Sequence, residues 1–171
     1  KDVILKDAQR LISLGKKEII IIAQDPTRYG KDLYEDYDIE ELLEDVAKLD
    51  KNTYVRILYL YPDRISDRLI EVFKENPNIM PYFDIPIQHI SDSVLKRMGR
   101  KSNGKTIRNC INKIREKIPD AILRTSLIVG FPGETEEDFE KLSKFVSKAK
   151  FDKLGVFTYS KEEGTPAAKL K

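Results

Sequence analysis

The sequence switches repeatedly between two hydrophobic periods, and that alternation narrows the fold more than any other feature. Asp2 to Leu14 carries Ile4, Ala8, Leu11 and Ile12 at helical spacing, with Gly15 placed to end the helix. Glu18 to Gln24 is a β-branched run apolar on both faces, which reads as a buried parallel strand. Asp25-Pro26 and Tyr29-Gly30 punctuate it. Asp38 opens a helix through Leu49, with Glu41 three residues on as a capping box. Tyr54 to Leu60 is a second strand, closed by Pro62, and Ser66 caps a helix to Glu75. Tyr82 to Ile85 is a short third strand stopped by Pro86. Ser91 to Met98 gives a turn or two of helix, and Thr106 to Ile118 a longer one ending at Pro119. Ala121 to Val129 is the fourth strand, broken by Gly130-Phe-Pro-Gly133. Thr135 caps a helix to Ala149 with Asp138 in the reciprocal position, and Phe151 to Tyr159 holds the fifth strand.

Strands alternating with helices define a parallel α/β fold. No Gly-x-Gly-x-x-Gly turn follows the first strand and no Walker lysine occurs, which disfavours dinucleotide and P-loop domains. A parallel (β/α) barrel, here incomplete, fits better: five strands side by side with helices on the outer face. Because the chain opens on a helix, the repeat leads one to expect a further strand upstream, and residues 1–171 to be a single, partial barrel domain of a longer protein.

Composition removes several function classes. Cys110 is the only cysteine, so neither an internal disulfide nor a cysteine-only metal site is available; it lies among Ile107, Ile111 and Ile114 and reads as a small buried apolar residue. His89 is the only histidine, which excludes a multi-histidine zinc site. A net charge of +2 argues neither for nor against nucleic acid, and no apolar run is long enough to span a bilayer. The basic run Lys96 to Arg108 has no acid within it and could touch RNA or an acidic partner, though such a run is more often a solvated loop; the acidic stretch Glu35 to Asp45 reads as the outer face of a surface helix.

In parallel barrels ligands sit at the carboxyl ends of the strands. Here those ends are Gln24 and Asp25, Tyr61 and Asp63, Gln88 and His89, Gly130 to Glu134, and Tyr159 to Glu163. Individually such residues also serve as caps and turns. Arg124, inside the apolar fourth strand, needs a partner because an unpaired buried charge is costly. Two partners are open to it: a strand-borne acid such as Asp84, or an anion or hydroxyl held inside the barrel. Arg56 in the second strand raises the same question.

The segments Ile22-Ala-Gln-Asp-Pro-Thr-Arg-Tyr-Gly30, Tyr59-Leu-Tyr-Pro-Asp63, Asp84-Ile-Pro-Ile-Gln-His89, Leu123 to Thr135 (ending Gly-Phe-Pro-Gly-Glu-Thr) and Gly155 to Pro166 occur in that order. Together they resemble the radical S-adenosylmethionine core of the methylthiotransferases. Ala23-Gln-Asp25, Asp84 to His89 and Ser160-Lys-Glu-Glu-Gly164 resemble the branch that modifies a ribosomal protein. The tRNA-modifying branch usually has Gly-Gln-Asn at the first of these and Gln-Ser-Gly at residues 88–90.

The resemblance implies a chemistry. Members bind a 4Fe–4S cluster through three cysteines spaced C-x3-C-x2-C, and its open iron site chelates S-adenosylmethionine. Reductive cleavage gives a 5′-deoxyadenosyl radical that removes hydrogen from an unactivated carbon. In the ribosomal branch that carbon is the β-carbon of an aspartate in a small-subunit ribosomal protein. A second 4Fe–4S cluster, on an N-terminal domain, is implicated in supplying sulfur, and a C-terminal RNA-binding-like domain follows the core. Neither domain, nor the three-cysteine run, has a counterpart in these residues. By itself the chain is therefore expected to hold no cluster and to be catalytically silent. By the same resemblance Gln24 and Asp25 meet the methionyl amino group, Arg124 the ribose or carboxylate, and Gln88 faces the same cavity. Val129, Gly130, Phe131 and Phe157 flank the adenine. The implied setting is a cytoplasmic monomer with no membrane association and no direct nucleic-acid contact by this domain; the electron donor is not legible. A tRNA-modifying core and a catalytically dead scaffold on a ribosome-linked partner are the alternatives.

Overall fold

The computed structural model describes residues 1–170. Helix α1 (Asp2–Ser13) ends at Gly15, whose φ of 76° is the left-handed turn a glycine allows. Strand β1 (Glu18–Ile21) leads to α2 (Ile39–Leu49), β2 (Tyr54–Ile57), α3 (Asp67–Glu75) and β3 (Tyr82–Asp84). Helices α4 (Asp92–Arg97) and α5 (Gly104–Lys117) precede β4 (Ile122–Val129), α6 (Glu136–Ala149) and β5 (Lys153–Thr158). The capping boxes expected at Asp38/Glu41 and Thr135/Asp138 both form, and Ser66 accepts from the Leu69 N–H. No described helix is long and apolar enough to cross a membrane.

All strand pairs are parallel and follow chain order, as the alternation demands. The ladder is not continuous, however. β1 pairs with β2, and β3, β4 and β5 pair in turn, so two short sheets replace the expected single one. They are stitched by a Val55–Ile79 bridge and by the Leu60 N–H donating to the Asp84 carbonyl. The cause is local. Pro81 has no N–H to give, and Tyr59 takes a left-handed φ of 65° and donates its N–H to the Asp84 carboxylate instead of a ladder carbonyl. The same turn ends β2 before Leu60, and β1 stops at Ile21 with its last partner Ile57, both shorter than their apolar runs.

One face of the strands is covered and the other is open. Ile19, Val55, Ile57, Phe83, Leu123 and Leu127 pack under the helices in one core with Leu43, Leu69, Ile70, Ile107 and Leu142. Phe83 stacks on Phe73 of α3 at 4.4 Å between ring centroids. The alternate residues Ile20, Arg56, Asp84, Arg124, Ser126 and Phe157 share the uncovered face. Apolar on both sides, β1 is expected to be buried on both, yet Ile20 and Ile22 are exposed because none of the described residues packs over them on this inner face. At β5 even the outer face is bare: Leu154 is 40% and Val156 54% exposed.

Two charged segments depart from expectation. The acidic stretch is not merely an outer face, since Glu40 is buried and accepts from Ser66 Oγ at 2.6 Å, while Glu44 pairs with Arg68, tying α2 to α3. Nor is Lys96 to Arg108 a free loop. Arg97 lies against Gly133, Arg100 donates to the Pro86 carbonyl, and Arg108 stacks over Phe145 at 5.2 Å.

Candidate functional site

The carboxyl ends of β1, β2 and β3 enclose a cavity of about 490 Å³, lined by Ile22, Ala23, Gln24, Tyr59, Leu60, Tyr61, Pro86, Gln88 and Arg100. That size and mix of apolar wall with few polar groups suits a small organic ligand. Two of its residues, Tyr59 at φ 65° and Gln88 at φ 67°, are non-glycine residues in the left-handed region. Such conformations persist only where surroundings impose them. Gln88 is held by its N–H on the Ser126 carbonyl and its own carbonyl accepting from Ile128, both 2.9 Å. Tyr59 is held by the Asp84 carboxylate.

Asp84 is the pivot of the inner face. It is 0% exposed, and its other oxygen accepts from Arg124 Nη1 at 2.6 Å. Of the two partners open to Arg124, the strand-borne acid is thus the one seen, directly across the β3–β4 ladder. Yet 41% of the Arg124 side chain remains exposed on the open face, so the guanidinium has donors to spare. The hydrogen bond to Asp84 pushes the Arg124 pKa up, fixing its charge. Arg56 is answered by Glu18 at 2.6 Å and by the Tyr82 ring at 4.5 Å.

The other rim residues divide. Gln24 and Gln88 line the cavity together. Asp25 turns instead into a neighbouring hollow, where Arg64 donates to it at 2.7 Å and Thr27 also bonds it. Gly130, at φ 71°, has open space on its Cβ side, whereas Phe131 is buried edge-on against Tyr159 at 5.1 Å. Phe157 is exposed on the inner face beside Ile128, with Val129 half-buried next to it. His89 is structural: it is fully buried, its Nδ1 accepts from the Ser91 N–H, and its Nε2 faces Glu134 at 3.4 Å. Glu134 in turn receives the Phe131 N–H at 3.0 Å, which closes the turn after β4.

Sequence reasoning named Gln24, Tyr61 and Gln88 but passed over Tyr59 as a wall residue and Arg100 as part of the site. Tyr59 belongs to the segment Tyr59-Leu-Tyr-Pro-Asp63 that carries the resemblance, yet on its own a tyrosine at the end of an apolar run looks like strand. Arg100 had a signal, since the acid-free basic run that contains it could touch RNA or an acidic partner, but such a run is more often solvated.

The chain belongs to the radical SAM superfamily, whose family model matches residues 1–146. The superfamily works with S-adenosylmethionine and a 4Fe–4S cluster. Among relatives, it is 62% identical over 168 residues to the ribosomal protein uS12 methylthiotransferase RimO of Alkaliphilus oremlandii, covering 98% of this chain and 38% of that protein. It is 54% identical to the protein of that name from Clostridioides difficile, over 98% of this chain and again 38% of the relative. The chain thus spans well under half the length of the curated relatives it matches. Among solved structures, coproporphyrinogen III oxidase of Escherichia coli, a radical SAM enzyme, superposes with a TM-score of 0.73 at 20% identity, over 99% of this chain and 39% of that one. The methyltransferase TsrM of Kitasatospora setae gives 0.70 at 11% identity, over 90% of this chain and 30% of that one. At such identities the likeness is one of fold, and it is the fold expected from the alternation of strands and helices.

The two cofactors fare differently against the residues present. The cavity and the half-free Arg124 fit a zwitterionic nucleoside such as S-adenosylmethionine. An iron–sulfur cluster does not fit: the one thiol, Cys110, is buried on α5, and burial pushes its pKa up to about 12. Among the described residues no group of three histidine, cysteine or acidic side chains is placed to hold a metal ion.

Proposed function

We propose that this chain is the cofactor-binding core of a radical S-adenosylmethionine methylthiotransferase, acting on the β-carbon of an aspartate in the small-subunit ribosomal protein uS12. One observation carries the reading: 62% identity, over nearly the whole chain, to a protein named for that reaction. The aspartate and its β-carbon follow from the family resemblance. Both 4Fe–4S clusters are supplied by parts of the complete enzyme other than these residues, which are a single partial-barrel domain, and the complete enzyme works in the cytoplasm. The open inner face offers S-adenosylmethionine its seat, with Gln24, Gln88 and Arg124 toward the methionyl and ribose oxygens. Val129, Gly130 and Phe157 lie along the adenine, with the backbone of Phe131; Asp25 is the outermost of the set. These side chains bind and orient, and the cluster supplies the electron when bound.

The test uses the complete enzyme, reconstituted anaerobically and incubated with S-adenosylmethionine, reductant, a sulfur source and purified uS12. Mass spectrometry of uS12 should show one methylthio group replacing one hydrogen on a single aspartate. Modification of tRNA with uS12 left untouched would overturn the reading.

A further inference from the structure

Arg100 is half-buried where two hollows meet. It lines the cofactor cavity and also the adjoining hollow of about 390 Å³ that contains Asp25, Asp63 and Arg64. Tyr61 and Gln24 are the other residues common to both. The outer hollow carries four cations, Arg28, Arg64, Arg100 and Lys101, against two carboxylates. Both carboxylates are committed: Asp25 to Arg64 and Thr27, and Asp63 to Ser102 Oγ at 2.6 Å and to Arg64 at 3.9 Å. Arg64 is therefore neutralised within the hollow. Arg100 is not. It donates to the Pro86 carbonyl and lies 5.1 Å from the Tyr61 ring centre, but no carboxylate among the described residues comes within ion-pair reach of it.

A guanidinium fixed by a carbonyl and an aromatic face, with its remaining donors unpaired, is preorganised for a planar anion. Its place at the junction fits a group entering from outside and reaching toward the cofactor. We infer that Arg100 is the carboxylate receptor of this enzyme, binding the acidic side chain of the incoming polypeptide so that the carbon next to it faces the cofactor cavity. The inference rests on the reading of the substrate as a protein aspartate and adds to it the residue that selects an acid. Arg64 and Tyr61 act as positioning residues, Tyr61 by stacking and Arg64 by tying up the two competing carboxylates.

The test is a two-by-two comparison with the complete enzyme: Arg100 or Arg100→Gln, against uS12 with its target aspartate intact or changed to asparagine. Binding of the asparagine form is read as competitive inhibition, so that no turnover is needed. With Arg100 present, loss of the substrate charge should weaken binding roughly tenfold, as for one charge-assisted hydrogen bond. With Arg100→Gln the two forms should bind alike, and Arg100→Lys should restore part of the discrimination, which a merely structural role would not do. Equal discrimination in both enzymes overturns the inference. So does a loss of S-adenosylmethionine affinity in Arg100→Gln with discrimination retained, because the carboxylate held would then be the cofactor's. An unsubstituted enzyme that leaves uS12 unmodified fells the function proposed above and this inference together; modification of uS12 with retained discrimination fells this inference alone.

Discussion

Asp84 and Arg124 show how one buried residue sets the value of another. Asp84 is wholly buried and spends its two oxygens on Arg124 and on the Tyr59 N–H. Removing Arg124 strands a carboxylate in a low dielectric, so Arg124→Leu should cost about 3 kcal/mol by urea denaturation. Adding Asp84→Asn should recover part of that loss, because the stranded charge is gone. In the complete enzyme Arg124→Leu should also weaken S-adenosylmethionine binding, by more than a surface arginine would, in equilibrium dialysis. Gln88 is the converse case. Its left-handed backbone costs about 1 kcal/mol, which Gln88→Gly would release against a similar entropic cost. The melting temperature should hardly move while cofactor affinity falls. The sequence announced Arg124, because a charge in an apolar strand must be answered. It even offered Asp84 as the answer. It also pointed to Gln88 at the end of the third strand, but not to the left-handed backbone of Gln88 or Tyr59, since a φ angle imposed by tertiary hydrogen bonds leaves no trace in local composition.

At the level of elements, the turn from β4 into α6 concentrates the most specific chemistry. Thr135 and Asp138 cap the helix reciprocally, and Asp138 also accepts from Ser91 and Ser93 ahead of and within α4. Those hydroxyl donors hold the Asp138 carboxyl down at about 2. Because its folded pKa is depressed, its stabilisation is complete above the unfolded value of about 3.9 and is lost as pH falls through about 2. Asp138→Asn should therefore flatten the fall in melting temperature between those pH values. Gly133 and Gly130 provide a second contrast. Both have positive φ, but a Cβ at Gly133 would meet the Arg97 guanidinium at 2.6 Å, and one at Gly130 would meet nothing. The Arg97 side chain is exposed and its guanidinium can swing aside, so Gly133→Ala and Gly130→Ala should each cost roughly 1 kcal/mol of backbone strain, measured by chemical denaturation. Helix existence, order and caps were readable from periodicity and from Ser, Thr and Asp positions. The break between β2 and β3 was not, because it depends on which acceptor Tyr59 finds across the sheet.

For the molecule as a whole, the donor set decides what it can do unaided. With a single buried thiol, this chain incubated anaerobically with iron and sulfide should develop no charge-transfer absorbance of a bound cluster and release no 5′-deoxyadenosine from S-adenosylmethionine. Stoichiometric cluster formation would show that ligands other than those described here assemble it. The parallel architecture was legible because alternating periods admit few topologies. The exposure of Ile20 and Ile22 on the inner face was not, because a strand apolar on both sides reads the same whether its second face is packed or open.

The bare outer face of β5 bears on how this chain behaves at concentration. Leu154 and Val156 alternate along an edge strand whose free side offers unpaired N–H and C=O groups, with Phe157 exposed on the opposite face. Lys153 is the one charge in the strand to discourage edge-to-edge pairing. An edge of this kind favours association through the strand itself, whatever the charge on the rest of the surface. Light scattering should show association rising with salt, as the repulsion from Lys153 is screened. Val156→Lys, which touches neither the inner face nor the core, should raise the concentration at which that association begins.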